Sequence, residues 1–599
     1  MLHGPGSMEH ALAAATFRDW WRGLRDRRSV GSLALGGRWW TFTDALIVAL
    51  VLYVVVITFM RFFYAFAPWT MEGDWKQWIW QYHRYWIDGA FPPGHVITDY
   101  QFRVQPTLYF AVMAALSHVM HPGVAARILA LLAWGLILFG AYQTTTKLSH
   151  WLPGLAAVVF VSHDFNLFSS TTGGYPRSFG PALVLLLLDA WLGRRHATAV
   201  ALLVVMAALY PSVLPPCGLA YGGWVFFAAL REGRRAWLIK VGSLALAAVA
   251  SAGLALTQNV LALPWWGAVI TLTEAERLPA LHPGGRMRWL PFGDYFDQVG
   301  IWLVQPYAPS GALAHFDVHP WPAVGPILGG LLALALLVVV LVRRRRGVPV
   351  RVPWEILLLV GAALFSYFVA RELAFRLYLP LRVLQHIVPI CVIVAVPALA
   401  YQACRGWESA RGLARALLLT LAPVFVLSGD GFLFPGWGSY AYRAPELQWI
   451  KANTPITAQF AGDIATLDII PYFTARPVYV NWTMAHPFRL GYWQEMERRL
   501  LRNHDIMYAN DKPQVLRFLA EEKIDYLVLD PERFVEPDTG RKLFHPIRDK
   551  VLRWFQERRP RGFVLASPPV SAVVYSDEDI VIIDAARLRE AWGPRAERR

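Results

Sequence analysis

Long apolar runs separated by short polar segments fill the first 428 residues of the chain. A helix needs about 20 apolar residues to cross a bilayer, and several of these runs approach that length. We predict spanning helices at residues 43–66, 124–145, 152–170, 178–193, 197–214, 217–230, 237–262, 322–342, 354–370, 380–401 and 412–428. The pattern therefore predicts a polytopic α-helical membrane protein with about 11 to 13 transmembrane helices.

Arginine clusters predict which helix ends are cytoplasmic, because cytoplasmic loops carry an excess of Lys and Arg. Such clusters occur in the N-terminal segment 1–42, at Arg194-Arg195 and from Arg343 to Arg346. They place the N-terminus in the cytoplasm and the C-terminal part outside. The apolar segment Pro106–Val119 is only about 14 residues long, which is typical of an interfacial helix, so we predict that it lies on the outer face.

After residue 428 the pattern changes to short apolar strands that alternate with helices, which is typical of a small α/β layer. We predict strands at Pro477–Val480, Ile524–Asp530, Phe563–Ala566 and Ile580–Ile583, and helices at Pro487–Asn503 and Lys512–Glu522. The predicted organisation is a cytoplasmic N-terminal segment (1–42), a transmembrane domain (43–428) with outer loops 67–123 and 264–320, and a C-terminal extracytoplasmic α/β domain (429–599).

Composition and charge agree with a membrane protein. Hydrophobic residues make up 56% of the chain and charged residues 17%, where soluble proteins carry about a quarter. The formal net charge is +15. In a membrane protein this excess indicates cytoplasmic loops rather than a nucleic acid partner. The three cysteines are too few and too scattered for a disulfide framework or a zinc site.

The stretch Met71–Phe102 follows the first apolar run and is rich in carboxylates and aromatic rings. Glu72, Asp74, Asp88 and Asp99 lie in it among tryptophans and tyrosines. Aromatic residues favour the headgroup level of a membrane. The carboxylates therefore lie where a lipid-linked substrate presents its polar head, and we interpret the stretch as a catalytic loop. An aromatic belt with solvated acids is the alternative.

Four short segments carry a family resemblance. They are Glu72-Gly73-Asp74 after the first helix, Gln105–Phe110 with its Pro-Thr-Leu-Tyr, the polar turn Phe168–Arg177, and Arg376–Arg382 at the start of a late helix. In these segments and in its overall plan the chain resembles GT-C class membrane glycosyltransferases, in particular protein-mannosyltransferase-like and aminoarabinose-transferase-like members. It departs from the class in its Glu-Gly-Asp spacing, where the family has an adjacent acidic pair. It also lacks the Trp-Trp-Asp-Tyr-Gly signature of oligosaccharyltransferases.

The resemblance implies an inverting glycosyltransferase on the outer face of a bacterial inner membrane. The donor would be a polyprenyl-phosphate sugar within the membrane lipid, and the acceptor a glycan, lipid or protein. Transfer needs a base that deprotonates the acceptor hydroxyl. Asp74 is the first candidate, Glu72 the second and Asp99 the third. A divalent metal ion shared by Glu72 and Asp74 stays open as a cofactor.

Arginines on the predicted outer side are candidates for binding the donor phosphate, since the positive-inside bias disfavours them there. These phosphate-binding candidates are Arg103, Arg177, Arg371, Arg376 and Arg382, with His386 one helical turn after the last of them. Polar residues in or after an apolar helix are candidates for an acceptor site or a cavity lining. They are His163, Asp164, Asn166 and Tyr175.

Two other classes of function stay open. One is a transporter or flippase of lipid-linked glycans, which the lack of a visible inverted repeat disfavours. The other is a membrane scaffold whose outer domain recruits partners. The charges of this chain concentrate at the outer interface rather than inside the helices, and this favours the transferase.

Overall fold

The computed structural model describes residues 32–35, 38–287, 334–348, 351–377, 379–404, 437–537 and 543–593. In the membrane part the α-helices are α1 (Phe42–Phe63), α2 (Trp75–Trp78), α3 (His83–Trp86), α4 (Val96–Val104), α5 (Thr107–Ser117), α6 (Pro122–Leu148), α7 (Trp151–His163), α8 (Phe165–Thr171), α9 (Gly180–Leu192), α10 (His196–Leu209), α11 (Leu214–Glu232), α12 (Arg234–Trp266), α13 (Leu272–Arg277), α14 (334–345), α15 (Trp354–Glu372) and α16 (Leu381–Cys404). After them come α17 (Ala444–Asn453), α18 (Ile464–Leu467), α19 (Ile470–Thr474), α20 (Leu490–Met507), α21 (Lys512–Glu521), α22 (Ile547–Arg558) and α23 (Ala585–Trp592).

Six helical stretches within the described residues are long and apolar enough to cross a membrane: Ile47–Phe66, Pro122–Leu148, Pro211–Glu232, Arg234–Leu254, Trp354–Glu372 and Arg382–Ala403. Their outward faces expose large apolar side chains such as Phe59, Phe227 and Leu246, as contact with lipid requires. The predicted polytopic helical fold is thereby confirmed. The count of 11 to 13 helices stays a prediction, because the predicted helix 412–428 and most of 322–342 lie outside the described residues.

Helix α16 forms the centre of the helical bundle. It packs against α6, α7, α9 and α15, and its apolar stretch Arg382–Ala403 is 83% buried. Small residues let the neighbouring helices approach closely: a Cβ atom added at Gly140 of α6 would lie 2.7 Å from the Cβ of Leu185 in α9. Since α16 begins near Arg382, the centre of the bundle carries that arginine at its end.

The predicted helix 152–170 is wrong as a single helix. The chain breaks at Asp164, whose backbone is extended (φ −70°, ψ 98°). Its Oδ1 accepts a hydrogen bond of 2.9 Å from the backbone N–H of Leu167 and so caps the start of α8. Aspartate is among the preferred N-cap residues because its carboxylate satisfies a free N–H of the first turn.

The C-terminal part is built on a four-stranded sheet. Its strands are β5 (Phe460–Gly462), β6 (Tyr526–Leu529), β7 (Val573–Ser576) and β8 (Val581–Asp584), in the order β5-β6-β8-β7. The β5–β6 pair is parallel and the other pairs are antiparallel. Apolar residues of β6 and β8 pack against the surrounding helices. The predicted α/β layer is therefore present, with helices α20 and α21 close to their predicted positions.

Two predicted strands are wrong. Pro477–Val480 makes only an isolated parallel bridge, between Val478 and Phe460, because β5 is three residues long and turns away at Gly462 (φ 123°). Phe563–Ala566 is a turn in which the Val564 N–H donates to the Ala509 carbonyl at 2.9 Å. The predicted strands 524–530 and 580–583 correspond to β6 and β8.

A short strand pair joins the first outer loop to the C-terminal domain. Strand β3 (Thr70–Glu72) pairs antiparallel with β4 (Trp437–Ser439), with Glu72 opposite Trp437. A separate hairpin, β1 (Ser32–Leu35) with β2 (Arg38–Thr41), precedes α1. The β3–β4 pair fixes the start of the acidic loop against the C-terminal domain, so residues of both parts line one cavity.

Candidate functional site

A cavity of about 1120 Å³ lies between one end of the membrane-helix bundle and the C-terminal domain. All of its charged lining residues and most of its polar ones come from six separate parts of the chain. They are Asp74, Gln77, Gln101, Tyr175, Arg177, Tyr210, Ser212, Arg286, Arg376, Arg382, Trp482, Thr483, His486 and Arg489. Among these described lining residues Asp74 is the one carboxylate, and it faces five arginines.

The buried indole of Trp75 positions Asp74. Its Nε1 donates a 2.7 Å hydrogen bond to the carbonyl of Gly173, and its ring contacts Tyr472 of the C-terminal domain at a centroid distance of 5.1 Å. Asp74 precedes α2 at the N-cap position, but its side chain makes no capping hydrogen bond. The carboxylate is therefore held at the start of a helix with its oxygens available to the cavity.

The turn after α8 brings Arg177 to the same place. Gly174 has φ +63°, and a Cβ added there would lie 1.9 Å from the carbonyl oxygen of Ala126 in α6. Only glycine fits so close an approach of two backbones. The turn then presents Tyr175 and Arg177, whose guanidinium lies 4.6 Å from the centroid of the Tyr175 ring.

Asp74 and Arg177 form an ion pair at the cavity wall. Asp74 Oδ2 lies 2.6 Å from Nη2 of Arg177, and the same guanidinium nitrogen donates to the Tyr175 hydroxyl at 2.6 Å. The Asp74 side chain is 34% exposed, and its Oδ1 makes no hydrogen bond to any residue within the described ranges. One carboxylate oxygen is thus oriented by a cation while the other is left for a ligand.

Glu72 lies behind this pair and does not line the cavity. It is 7% exposed, and its Oε2 accepts a 2.8 Å hydrogen bond from the Asp74 N–H. Burial and the neighbouring Asp74 charge raise the pKa of Glu72 to about 8, against an opposing effect of Arg177. A carboxyl with this pKa is mostly protonated at neutral pH, so Glu72 supports the Asp74 segment as a neutral group.

Arg376 and Arg382 line the opposite side of the cavity. Arg376 is exposed in the turn before α16, and Arg382 donates to Oε1 of Gln385 at 2.7 Å. Neither contacts a carboxylate within the described part of the chain. Arginine binds phosphate through paired N–H donors, so these two side chains suit an anionic headgroup.

Helices α11 and α12 form an apolar wall of the cavity, next to its charged region. Gly218 and Gly222 of α11 face Leu244, Ala245 and Ala248 of α12, and all of them line the cavity. A Cβ added at either glycine would meet no atom within 4 Å. From Val241 to Ala252 this wall follows α12 for about 17 Å at 1.5 Å per residue. The cavity therefore has a charged end and an apolar end.

Several predicted site residues lie elsewhere. Asp99 is paired with Arg84 at 3.0 Å and accepts from the Gly94 N–H at 2.7 Å, because α4 turns its side chain away from the cavity. Arg103 and the buried Arg371 are not among the lining residues.

Of the remaining predicted residues, some also lie outside the cavity lining and others belong to it. His386 is fully buried behind the lining residue Tyr210, with a ring centroid distance of 5.3 Å. Asp164 is used as the cap of α8. The side chains of His163 and Asn166 lie outside the described part of the structure. The sequence-predicted residues that meet at the cavity are Asp74, Tyr175, Arg177, Arg376 and Arg382.

The carboxylates that the sequence suggested for a metal ion fit one poorly. Asp74 is paired with Arg177, and Glu72 is buried with a raised pKa. Among the described residues no group of three or more His, Cys, Asp or Glu side chains lies close enough together to hold a metal ion. No step of the chemistry is therefore assigned to a metal here.

Sequence reasoning did not identify the individual C-terminal residues that line the cavity. Trp482, His486 and Arg489 lie in an irregular segment between the sheet and α20, where no periodicity marks them. They reach the cavity because Arg489 donates to the Gly267 carbonyl at 2.9 Å and so fastens this segment to the loop after α12.

No family model matches the chain, and no curated protein matches it in sequence. Among solved structures, it is similar to the apo oligosaccharyltransferase of Archaeoglobus fulgidus, with 12% identity, a TM-score of 0.45, and 82% of this chain and 70% of that chain covered. The complex of the A. fulgidus enzyme with Zn and sulfate gives 14% identity, a TM-score of 0.44, and coverage of 86% and 70%.

The chain is also similar to apo ArnT from Cupriavidus metallidurans, with 12% identity, a TM-score of 0.40, and coverage of 92% of this chain and 99% of that chain. The A. fulgidus oligosaccharyltransferase, AglB, and ArnT are both GT-C glycosyltransferases, the class that the sequence resembles. At TM-scores below 0.5 these likenesses decide nothing about the site. The assignment of a function depends on the cavity itself.

Proposed function

We propose that the chain is a GT-C class membrane glycosyltransferase, which moves a sugar from a polyprenyl-phosphate-linked donor to an extracytoplasmic acceptor. One observation carries this proposal: the described residues of a single cavity combine one carboxylate, several arginines and an apolar wall. The arginines suit the carrier phosphate, the apolar wall suits the polyprenyl chain, and the carboxylate suits the acceptor hydroxyl. A flippase would need the first two features but has no use for a positioned base.

Asp74 is the proposed general base. Its Oδ2 is held by Arg177 at 2.6 Å, which leaves Oδ1 to take the proton of the acceptor hydroxyl as that oxygen attacks the anomeric carbon. The bond between the anomeric carbon and the phosphate oxygen breaks in the same step, and the polyprenyl phosphate leaves with the bonding electrons. Positioned general bases contribute about 10²- to 10⁴-fold to a rate.

The arginines are proposed to stabilise the leaving group. Negative charge develops on the phosphate oxygens as the glycosidic bond breaks, and fixed cations aimed at that charge lower the barrier. Arg376 and Arg382 are free of carboxylate contacts within the described residues and take this role. A second carboxylate that could act as a nucleophile is missing from the described lining residues, so a single displacement with inversion fits best.

Transfer of a labelled sugar from a panel of polyprenyl-phosphate donors tests the proposal. We expect Asp74→Asn to lower the transfer rate by at least about 100-fold, because the amide cannot accept the proton. Asp99→Asn is the matched control: it removes a carboxylate from the same loop but outside the cavity, and should leave the rate within about threefold of wild type.

Other outcomes would change the assignment. Full activity of folded Asp74→Asn would show that the base is another group. If wild-type protein bound polyprenyl phosphate but transferred no sugar from any donor, the transferase proposal would fail and the flippase would replace it.

A further inference from the structure

Arg286 lies with Trp482 and His486 at the side of the cavity next to the C-terminal domain, which we call the roof, and it forms no ion pair with a carboxylate among the described residues. It belongs to the loop after α12, and its Nη2 donates to the Thr483 carbonyl of the C-terminal domain at 3.2 Å. Its guanidinium carbon lies 3.8 Å from the centroid of the Trp482 ring. No ion pair joins Arg286 to a residue in the described ranges, and its Nε is buried without a hydrogen-bond partner there.

The nearest acids, Asp468 and Asp74, favour the charged form of this guanidinium from a distance, but neither forms an ion pair with it within the described residues. Asp468 influences Arg286 electrostatically, but its oxygens already accept from the backbone N–H groups of Trp482 and Thr483 at 2.8 and 3.3 Å. Burial lowers the pKa of Arg286 to about 10, so the side chain remains charged at neutral pH. A half-buried charge without a direct ion pair is costly, and an anionic ligand in contact with it would reduce that cost.

Two further side chains next to Arg286 have polar atoms without partners. The indole Nε1 of Trp482 and both ring nitrogens of His486 are buried and make no hydrogen bond to any residue in the described part of the chain. His486 is 9% exposed and its ring stacks on Phe488 at 5.1 Å. All three side chains line the cavity. The roof therefore offers N–H donors from three side chains, while the nearby Asp468 accepts from the backbone N–H groups of Trp482 and Thr483.

We propose that Arg286, Trp482 and His486 form an anion-binding subsite at the roof of the cavity, which takes a phosphate or carboxylate group of the substrate. This subsite is separate in composition from Arg177, which is already paired with Asp74. It is also built from different segments than Arg376 and Arg382. The anion has two possible sources: the second phosphate of a diphosphate-linked carrier, or an acidic group on the sugar or acceptor.

The subsite deepens the proposed function, but its test measures binding, so the two can fail independently. Purified full-length protein in nanodiscs of zwitterionic lipid is titrated with undecaprenyl phosphate, undecaprenyl diphosphate, and a pair of nitrophenyl glycosides, the glucuronide and the glucoside. The variants are Arg286→Gln and Trp482→Phe, which keeps the ring under Arg286 but removes its N–H donor. Hydrogen bonds to a charged group support an expected loss of about 10- to 100-fold for Arg286→Gln and a smaller loss for Trp482→Phe.

The pattern of losses identifies the source. Weaker binding of the diphosphate alone, with the monophosphate within twofold of wild type, assigns the subsite to the second phosphate. Weaker binding of the glucuronide but not the glucoside assigns it to an acidic sugar or acceptor.

Arg499→Gln is the matched control. Arg499 lies in the C-terminal domain, as Trp482 and His486 do, and it donates to the Tyr479 carbonyl at 2.9 Å but does not line the cavity. If Arg286→Gln left all four ligands unchanged, or weakened all of them only as much as Arg499→Gln did, the proposal would be overturned and Arg286 would be a structural clamp.

Discussion

Glu72 should make the folded protein less stable as the pH rises, and Glu72→Gln should remove this effect. The ordinary pKa of 4.5 applies in the unfolded chain, whereas burial and the Asp74 charge raise the folded-state pKa to about 8. Between these values the unfolded state has released its proton and the folded state has not. Stability therefore falls as the pH rises through this window and becomes constant above it.

The size of the effect follows from the width of the window. Each pH unit between the two pKa values corresponds to about 1.4 kcal/mol, so the Glu72 carboxyl costs the fold up to about 5 kcal/mol at pH 8. The amide of Gln is neutral at every pH and close in shape to the protonated acid. We expect the variant to match wild type near pH 4.5 and to melt about 4 °C higher at pH 8 to 9, because the unfolding entropy of a chain of this length is about 1.3 kcal/mol/K.

The assay is thermal unfolding of both proteins in one detergent from pH 4.5 to 9, followed by tryptophan fluorescence. Glu590→Gln, which changes an exposed glutamate on α23, is the control and should melt in parallel with wild type. Parallel melting of wild type and Glu72→Gln across the whole range would refute the reasoning, because it would show that Glu72 is ionised in the folded protein.

Two neighbouring substitutions should move the upper end of the window in opposite directions. Arg177 lowers the pKa of Glu72 and Asp74 raises it. In Arg177→Gln the loss of stability should therefore continue above pH 8, whereas in Asp74→Asn it should end below pH 8. This opposition separates a local electrostatic cause from a general loss of packing, which would shift both variants in the same way.

The remaining predictions concern activity and packing. Arg177→Gln should lower kcat for sugar transfer by about 100-fold, because the proposed base loses the cation that orients it. Arg382→Gln should mainly raise the KM for the donor, by about tenfold. Initial rates over a range of donor concentrations separate the two effects. Gly174→Ala should lower the free energy of unfolding by at least about 2 kcal/mol, since the added Cβ would lie 1.9 Å from the Ala126 carbonyl oxygen. Gly73→Ala, where a Cβ meets nothing within 4 Å, should melt like wild type.

Sequence reasoning selected several residues that line the cavity, and their role in a functional site stays a prediction. Asp74, Arg177 and Arg382 each lie where an apolar run meets a polar segment, and membrane topology alone brings such boundaries to one level. The same logic selected Asp99 and Arg103, which the structure keeps out of the cavity. Topology gives the depth of a residue in the membrane but not the direction of its side chain. Helix α4 is too short for periodicity to indicate which of its residues point into the cavity.

The meeting of Arg286 and His486 at the roof of the cavity could not be predicted from the sequence, for a different reason. Arg286 and His486 are 200 residues apart in the chain, and both lie in irregular segments. They meet because backbone contacts such as Ile270 N–H to the Phe488 carbonyl, at 3.0 Å, fasten one segment to the other. Such contacts depend on the assembled domains, and no local pattern of apolar residues encodes them.

The Glu-Gly-Asp spacing explains why the two acids have different roles. Had the strand continued, residues 72 and 74 would point to the same face and could share a cation. The strand ends at Glu72, which pairs with β4, and the chain turns at once into α2 with Asp74 at its start. Glu72 is thereby kept in the protein interior, where it is mostly neutral, while Asp74 is turned to Arg177 and the cavity. A single residue between the acids, combined with the end of a strand, separates a buried carboxyl from the one that we propose as the base.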